Sequence, residues 1–374
     1  MRVLRKEWQL GGCLAFLFSC AAHGQGQELR TGVHAGRDVS ALPLPVSGYE
    51  VYLIGELHGV KENEEILVEY LARLYSEAGL RDVTIEEDAV YESDAQAYVE
   101  GRSNVLPQPL CLRAGVLRVL RSFNEGKDDE PVRVHLVDID SPATAIRQHL
   151  LAIKEQVPEA DAVQVPSEAE LKERGLETVA GLKKLAKGRR QLSELRTIEH
   201  SIGALQQGLE VGTTRRFKGS PYLDDREQAI ASNILELVHR RGGRTLLAQY
   251  GNDHVSRSRR KDGGAERNSV FSPLALRLVD AGVKVFSLMT VPLSGRWSWR
   301  GQEGEMFWTP EDGHLASGEG FDQVLAAAPE AKWFYVDRAR QLLTLPSRDM
   351  TAYDVDAYLL FTGASPMDNQ CATQ

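Results

Sequence analysis

Two neighbouring stretches, YEVYLIG at 49–55 and EILVEYLARLYSEAG at 65–79, constrain the fold more than anything else in the chain. The first is a continuous apolar run with β-branched and aromatic residues. The second repeats its apolar residues at helical spacing and stops at Gly79. A strand without a polar face must be covered on both sides, and a helix of that length carries the chain back to lay down a parallel neighbour. The pattern recurs: DVTIEED (82–88), VRVHLVDID (132–140), RTLLAQYG (244–251) and VKVFSLMTV (283–291) read as strands. Helical patterns at 90–100, 114–125, 142–155, 222–241 and 272–281 separate them. The expected class is therefore α/β, a largely parallel central sheet flanked by helices. KWFYVDR (332–338) and AYLLFTG (357–363) add two late strands.

One segment breaks the alternation. From Pro158 to about Gly212 the sequence is charged and lacks β-branched runs, and Ser167 with Glu170 has the spacing of a capping box. It is expected to be an inserted helical hairpin, about 158–212, within a single domain spanning 25–374.

The first residues belong to another class of segment. Arg2, Arg5 and Lys6 precede the apolar stretch Leu10 to Phe18, and small residues follow at Ala21, Ala22 and Gly24. This is the pattern of a signal peptide over 1–24, too short to span a bilayer. LFSC at 17–20 offers a lipobox ending at Cys20, and AHG at 22–24 an ordinary cleavage site. The expected location is outside the cytoplasm: periplasmic, secreted, or an outer-membrane lipoprotein that meets the membrane only through a lipid anchor. Of the four cysteines, Cys111 and Cys371 lie beyond the leader, as one disulfide or two free thiols. With 53 acidic against 44 basic residues the chain carries a formal charge of −9, and removing the leader makes it more acidic. Nucleic acid is excluded as a partner on that balance. A small-molecule substrate remains.

Chemistry-bearing residues gather at strand ends. In LIGELHG (53–59), Glu56 and His58 stand two apart at the end of the first strand, so an extended backbone projects them to one side. Glu86 and its acidic neighbours close the second strand, and His254 follows the turn after RTLLAQYG. The carboxyl edge of such a sheet is where open α/β folds bind ligands. Charges collected in a cleft are costly unless used. Among lesser features, RSRRK (257–261) reads as a solvated basic loop with attraction of an anionic substrate as the alternative, Trp297 and Trp299 as core packing with a pocket wall for an apolar or glycan ligand as the alternative, and His135 as a structural residue.

Taken together and in order, LIGELHGVKENEEI, VTIEED, REQAIASNI (226–234) and GNDHV (251–255) resemble the four motifs of the superfamily that joins erythromycin esterases with ChaN-like haem-binding lipoproteins, the TIKI proteases being more distant. The resemblance covers about residues 49–290 without the insertion. It places the opening motif on Gly55, Glu56 and His58, the strand-end glutamate on Glu86, the helix arginine on Arg226 and the late histidine on His254. Glu227 stands where the superfamily usually has Asp, and Ile230 where it usually has Met. The spacing of GELHG is that of the ChaN-like branch.

The resemblance implies a hydrolase of ester or related carbonyl bonds working without a cofactor. His58 would be the general base, with Glu56 or Glu86 orienting it and Arg226 with His254 binding the carbonyl oxygen. No GxSxG elbow is present, so attack by water is expected rather than by a serine. Two alternatives use the same residues. Glu56, His58, Glu86 and His254 would suit a divalent metal in a metal-dependent hydrolase. A haem- or metal-binding lipoprotein of the ChaN kind is the non-enzymatic one.

Overall fold

The computed structural model describes residues 26–367 except 107, 128–129, 140–142, 207–219, 241–243, 262–269, 300–301, 308–313, 316–319, 340–342 and 345–352. The leader, Cys20 and Cys371 lie outside the described residues.

Nine strands form the central sheet: β1 (Gln27–Arg30), β2 (Val33–Gly36), β3 (Val51–Glu56), β4 (Asp82–Asp88), β5 (Arg133–Asp138), β6 (Leu246–Gly251), β7 (Val285–Pro292), β8 (Trp333–Asp337) and β9 (Ala357–Phe361). Their spatial order is β1-β2-β8-β9-β7-β3-β6-β4-β5. From β9 to β5 every pairing is parallel, and the antiparallel pairings, β1–β2, β2–β8 and β8–β9, are gathered at one edge. The expected largely parallel sheet is therefore present, with both late strands in it. The hairpin β1–β2 has no counterpart in the sequence reading, because two four-residue strands are too short to show a period.

Residue alternation along the strands separates two cores. Tyr52, Ile54, Val83, Ile85, Leu247, Phe286 and Leu288 face α1 (Glu62–Glu77), α2 (Glu92–Val99) and α3 (Ala114–Asn124). Val51, Leu53, Ala248, Tyr250, Val285 and Met289 face α7 (Ser220–Arg240) and α8 (Leu274–Asp280). Between them β3 buries all six of its residues, as its unbroken apolar run requires.

The charged segment is helical, with α5 (Leu171–Leu185) and α6 (Arg189–Gln206) packing on α4 (Ala143–Glu155) around a third core that includes Ile146, Leu150, Val179, Leu182, Ile198 and Ile202. The Ser167 N–H donates to Glu170 Oε2 at 3.1 Å, as the capping-box spacing predicts. The expected insertion runs on to 212, and its last residues fall outside the described ones. Among the described residues, no helix is long and apolar enough to cross a membrane. Cys111 is disulfide-bonded; the other three cysteines of the chain are outside the described residues.

Candidate active site

The carboxyl ends of β3, β6 and β4 lie side by side, with Glu56 in register with Gly251. Glu56 is the last residue of β3 and is buried, whereas the His58 side chain is about a third exposed, at 32%. Gly55 is needed between Ile54 and Glu56: a Cβ there would collide with Asn252 Oδ1, and Asn252 is pinned through its Nδ2 to Thr290 O at 2.8 Å. Gly59 takes φ +86°, which only glycine adopts readily, and turns the chain away directly after His58.

His58 Nδ1 lies 2.9 Å from Glu56 Oε1. Arg113 donates to the same oxygen through Nη1. Burial alone would raise the Glu56 carboxyl, but the Arg113 guanidinium and His58 outweigh it and hold the carboxyl at about 2. An ionised carboxylate only accepts, so Nδ1 donates to Glu56 and Nε2 is the ring nitrogen turned to the cleft. Glu86 Oε2 stands 3.5 Å from that nitrogen.

Glu86 is fixed from three directions. Its Oε2 accepts from the Gly251 N–H at 2.7 Å, and its Oε1 from Arg226 Nη2 at 2.7 Å and His254 Nε2 at 3.2 Å. Burial opposes its charge, yet His254, His58 and Arg226 together hold its carboxyl well below the usual range. Arg226, from the first half of α7, also grips Asp138 at the end of β5, with Nε 2.9 Å from Oδ1. His254 Nδ1 lies 2.6 Å from Glu227 Oε1. Burial would lower the His254 imidazole, but Glu227 and Glu86 outweigh it and raise it to about 10, so His254 is a buried imidazolium. Glu227, the departure from the superfamily's Asp, thus has a definite place: it closes the Glu86–His254–Glu227 chain.

All five residues singled out in the sequence, Glu56, His58, Glu86, Arg226 and His254, meet in one cluster. Four more belong to it, of which Arg113 and Asp138 were not singled out in the sequence. Arg113 is buried, bridges Glu56 and Glu87, and reaches the Glu86 main-chain oxygen at 3.2 Å. Nothing in the sequence marks it, since it ends a short 3-10 segment ahead of α3. Asp138 carried a legible signal, because it closes the apolar run of β5 just as Glu56 closes that of β3. Burial, reinforced by Glu86 and Asp138 against the opposing pull of Arg113, lifts the Glu87 carboxyl to about 7. Trp299 stacks on the His58 ring at 4.7 Å with 15° between the planes, and the Arg113 guanidinium lies 5.2 Å from its ring centroid. Its expected place in the core belongs instead to Trp297, which packs partly buried against the core on the α1 side.

The remaining expectations resolve simply. His135 is held by buried Asp82 at 2.9 Å. Arg257 pairs with Asp356 at 2.7 Å; the side chains of Arg260 and Lys261 are outside the described residues.

The cluster does not suit a divalent metal on Glu56, His58, Glu86 and His254. Both nitrogens of His254 face carboxylates, Glu56 Oε1 holds Arg113, and Glu86 holds Arg226 through Oε1 and the Gly251 N–H through Oε2. Among the described residues no group of three or more His, Cys, Asp or Glu side chains is arranged to hold a metal ion.

No family model and no curated protein matches the sequence. Solved structures do match. A protein from Bacillus cereus superposes with a TM-score of 0.61 at 15% identity, covering 86% of this chain and 90% of its own. The erythromycin esterase EreC, in a mutant form and an open conformation, gives 0.61 at 13% identity over 86% and 92%. A succinoglycan biosynthesis protein gives 0.59 at 13% identity over 85% and 88%. The chain therefore has the α/β fold of EreC. That bears out, at the level of fold, the resemblance carried by the four ordered motifs.

Proposed function

We propose that this protein is a hydrolase of ester or related carbonyl bonds, in which His58 activates water. The observation that carries the reading is the Glu56–His58 pair: a buried, ionised carboxylate 2.9 Å from Nδ1 fixes the tautomer whose Nε2 can take a proton. Water gives a proton to His58 Nε2 as its oxygen adds to the carbonyl carbon. Collapse of the tetrahedral adduct breaks the bond to the leaving oxygen, which takes that proton back from His58 and departs as the alcohol.

The roles of the other groups follow from their partners. Arg226 and His254 were expected to bind the carbonyl oxygen, but both nitrogens of His254 face carboxylates and Arg226 is shared by Glu86 and Asp138. His254 is thus a positioning residue that holds Glu86. The charge developing on the carbonyl oxygen falls in the field of Arg113, Arg226 and the His254 imidazolium. The fold shared with an erythromycin esterase supports the reaction class and leaves the substrate open.

A panel of aryl and alkyl esters tests the reading. His58→Ala should cut turnover of any ester accepted by about 10²–10⁴-fold with little change in KM, and dialysis against a chelator should leave the rate intact. A silent panel together with a Soret band on mixing with haemin would favour a carrier. Chelator-sensitive activity restored by a divalent ion would overturn the metal-free route.

A further inference from the structure

Beside the outer edge of β5 a second cavity, about 1030 Å³, lies among α2, α4, α6 and α7. It shares no lining residue with the cleft of Glu56 and His58, and its volume is that of a small-molecule site. Four arginines line it, Arg102, Arg133, Arg240 and Arg244, against three glutamates, in a chain whose formal charge is −9.

The glutamates are already engaged. Glu92 Oε2 accepts from the Leu136 N–H at 3.1 Å, Glu100 holds Arg102 and Gln96, and Glu194 stands 3.7 Å from His149 Nε2. Arg240 is engaged in turn by Glu236 at 3.0 Å. By contrast the guanidinium groups of Arg133 and Arg244 make no hydrogen bond or ion pair with any described residue. Arg133 lies in the field of Glu100 and Arg244 in that of Glu130, but neither guanidinium is tied by a hydrogen bond to a described residue, so both can turn to an anion in the cavity.

The walls decide what kind of anion fits. A peptide cannot add to the sheet here as a further strand, because the edge N–H groups of Val134 and Leu136 are taken by Gln96 Oε1 at 2.9 Å and by Glu92. None of the lining residues is Phe, Tyr or Trp, so the cavity offers a nucleobase or other large flat ring no broad aromatic face. Ser93 and Gln156 supply polar groups that make no side-chain hydrogen bond of their own with described residues. We propose that this cavity is a second ligand site, for a compact hydroxylated oxyanion such as a phosphorylated or carboxylated sugar, with Arg133 and Arg244 taking the anionic group.

Calorimetric titration of the full chain with glucose 6-phosphate, galacturonate and inorganic phosphate tests this at low and at physiological salt. The expected result is saturable one-to-one binding of at least one of the two sugars, weakened by salt and lowered about tenfold or more in Arg133→Ala/Arg244→Ala. Both side chains are exposed, so the double variant should melt with the wild type. Preference between the two sugars identifies phosphate or carboxylate as the group bound. His58→Ala should bind as the wild type does, which keeps this outcome independent of the hydrolase reading. Absence of saturable binding to either sugar, binding unchanged in the double variant, or binding lost in His58→Ala would each overturn the proposal.

Discussion

At the scale of single residues, the cluster works by setting protonation states apart. Glu56 is held ionised at about 2 although buried, because Arg113 sits on it. Glu87 has the same guanidinium 3.2 Å from its Oε1, yet it rises to about 7, since burial and the repulsion of Glu86 and Asp138 outweigh that one contact. Removing Arg113 would leave Glu56 buried without its cation, which is why a buried pair is easier to keep than to break. His254 shows the linkage most directly. Its imidazole moves from 6.5 to about 10 on folding, so the folded chain binds a proton that the unfolded chain has lost at neutral pH. The stability it contributes is complete below about 6.5 and declines as pH rises through about 10. Thermal unfolding followed from pH 6 to 10 should therefore fall on the alkaline side. In His254→Gln the melting temperature should be lower at pH 6, and its decline over the same range shallower. A variant that matches the wild-type slope would show that His254 is not the imidazolium the geometry makes it.

At the scale of elements, the strand ends were legible and their supports were not. Glu56, Glu86 and His254 could be read because each ends an apolar run, and a polar group at the end of a buried strand has only the carboxyl edge to occupy. Arg113 and Trp299 reach the same cleft from a 3-10 segment and from the hairpin Ser294–Trp299/Gln302–Phe307, whose positions depend on tertiary packing rather than on any local period. The hairpin docks where the chain turns after the base: the Ser298 N–H donates to Gly59 O at 3.0 Å, and a Cβ on Gly59 would stand 2.6 Å from Ser298 O. Its role is then to set Trp299 against one face of the His58 ring and leave the other face to the cleft. Loss of an aromatic stack is worth about 0.5–1.5 kcal/mol, or up to roughly tenfold in rate. On an ester whose turnover depends on His58, Trp299→Ala should lower kcat by about that factor with KM little changed, and Trp299→Phe should restore most of it. Equal turnover in the Ala variant would reduce the stack to packing.

At the scale of the whole molecule, the order of strands and helices decides what the chain can be, and the residues outside that order decide where it works. The βα rhythm announced the parallel half of the sheet because buried parallel strands cannot hide their apolar runs, whereas the segment from α4 to α6 was legible as helices but not as a packed unit, its core being formed by residues far apart in sequence such as Leu150, Val179 and Ile202. Location rests on a different argument. We infer export from the basic, apolar and small-residue succession over residues 1–24, and what supports it is the disulfide at Cys111, a bond that persists in oxidising compartments and is rare in the cytosol. Fractionation should place the protein outside the cytoplasm, and Cys20→Ala should release it from membranes where the lipobox is used. In the exported protein, Cys111 should resist alkylation until a reductant is added, and reduction of its disulfide should lower the melting temperature, since a cross-link removes entropy from the unfolded chain. A full-length chain retained in the cytoplasm, with Cys111 alkylated at once, would refute export and the covalent tie together, while leaving the Glu56–His58 pair and its chemistry untouched.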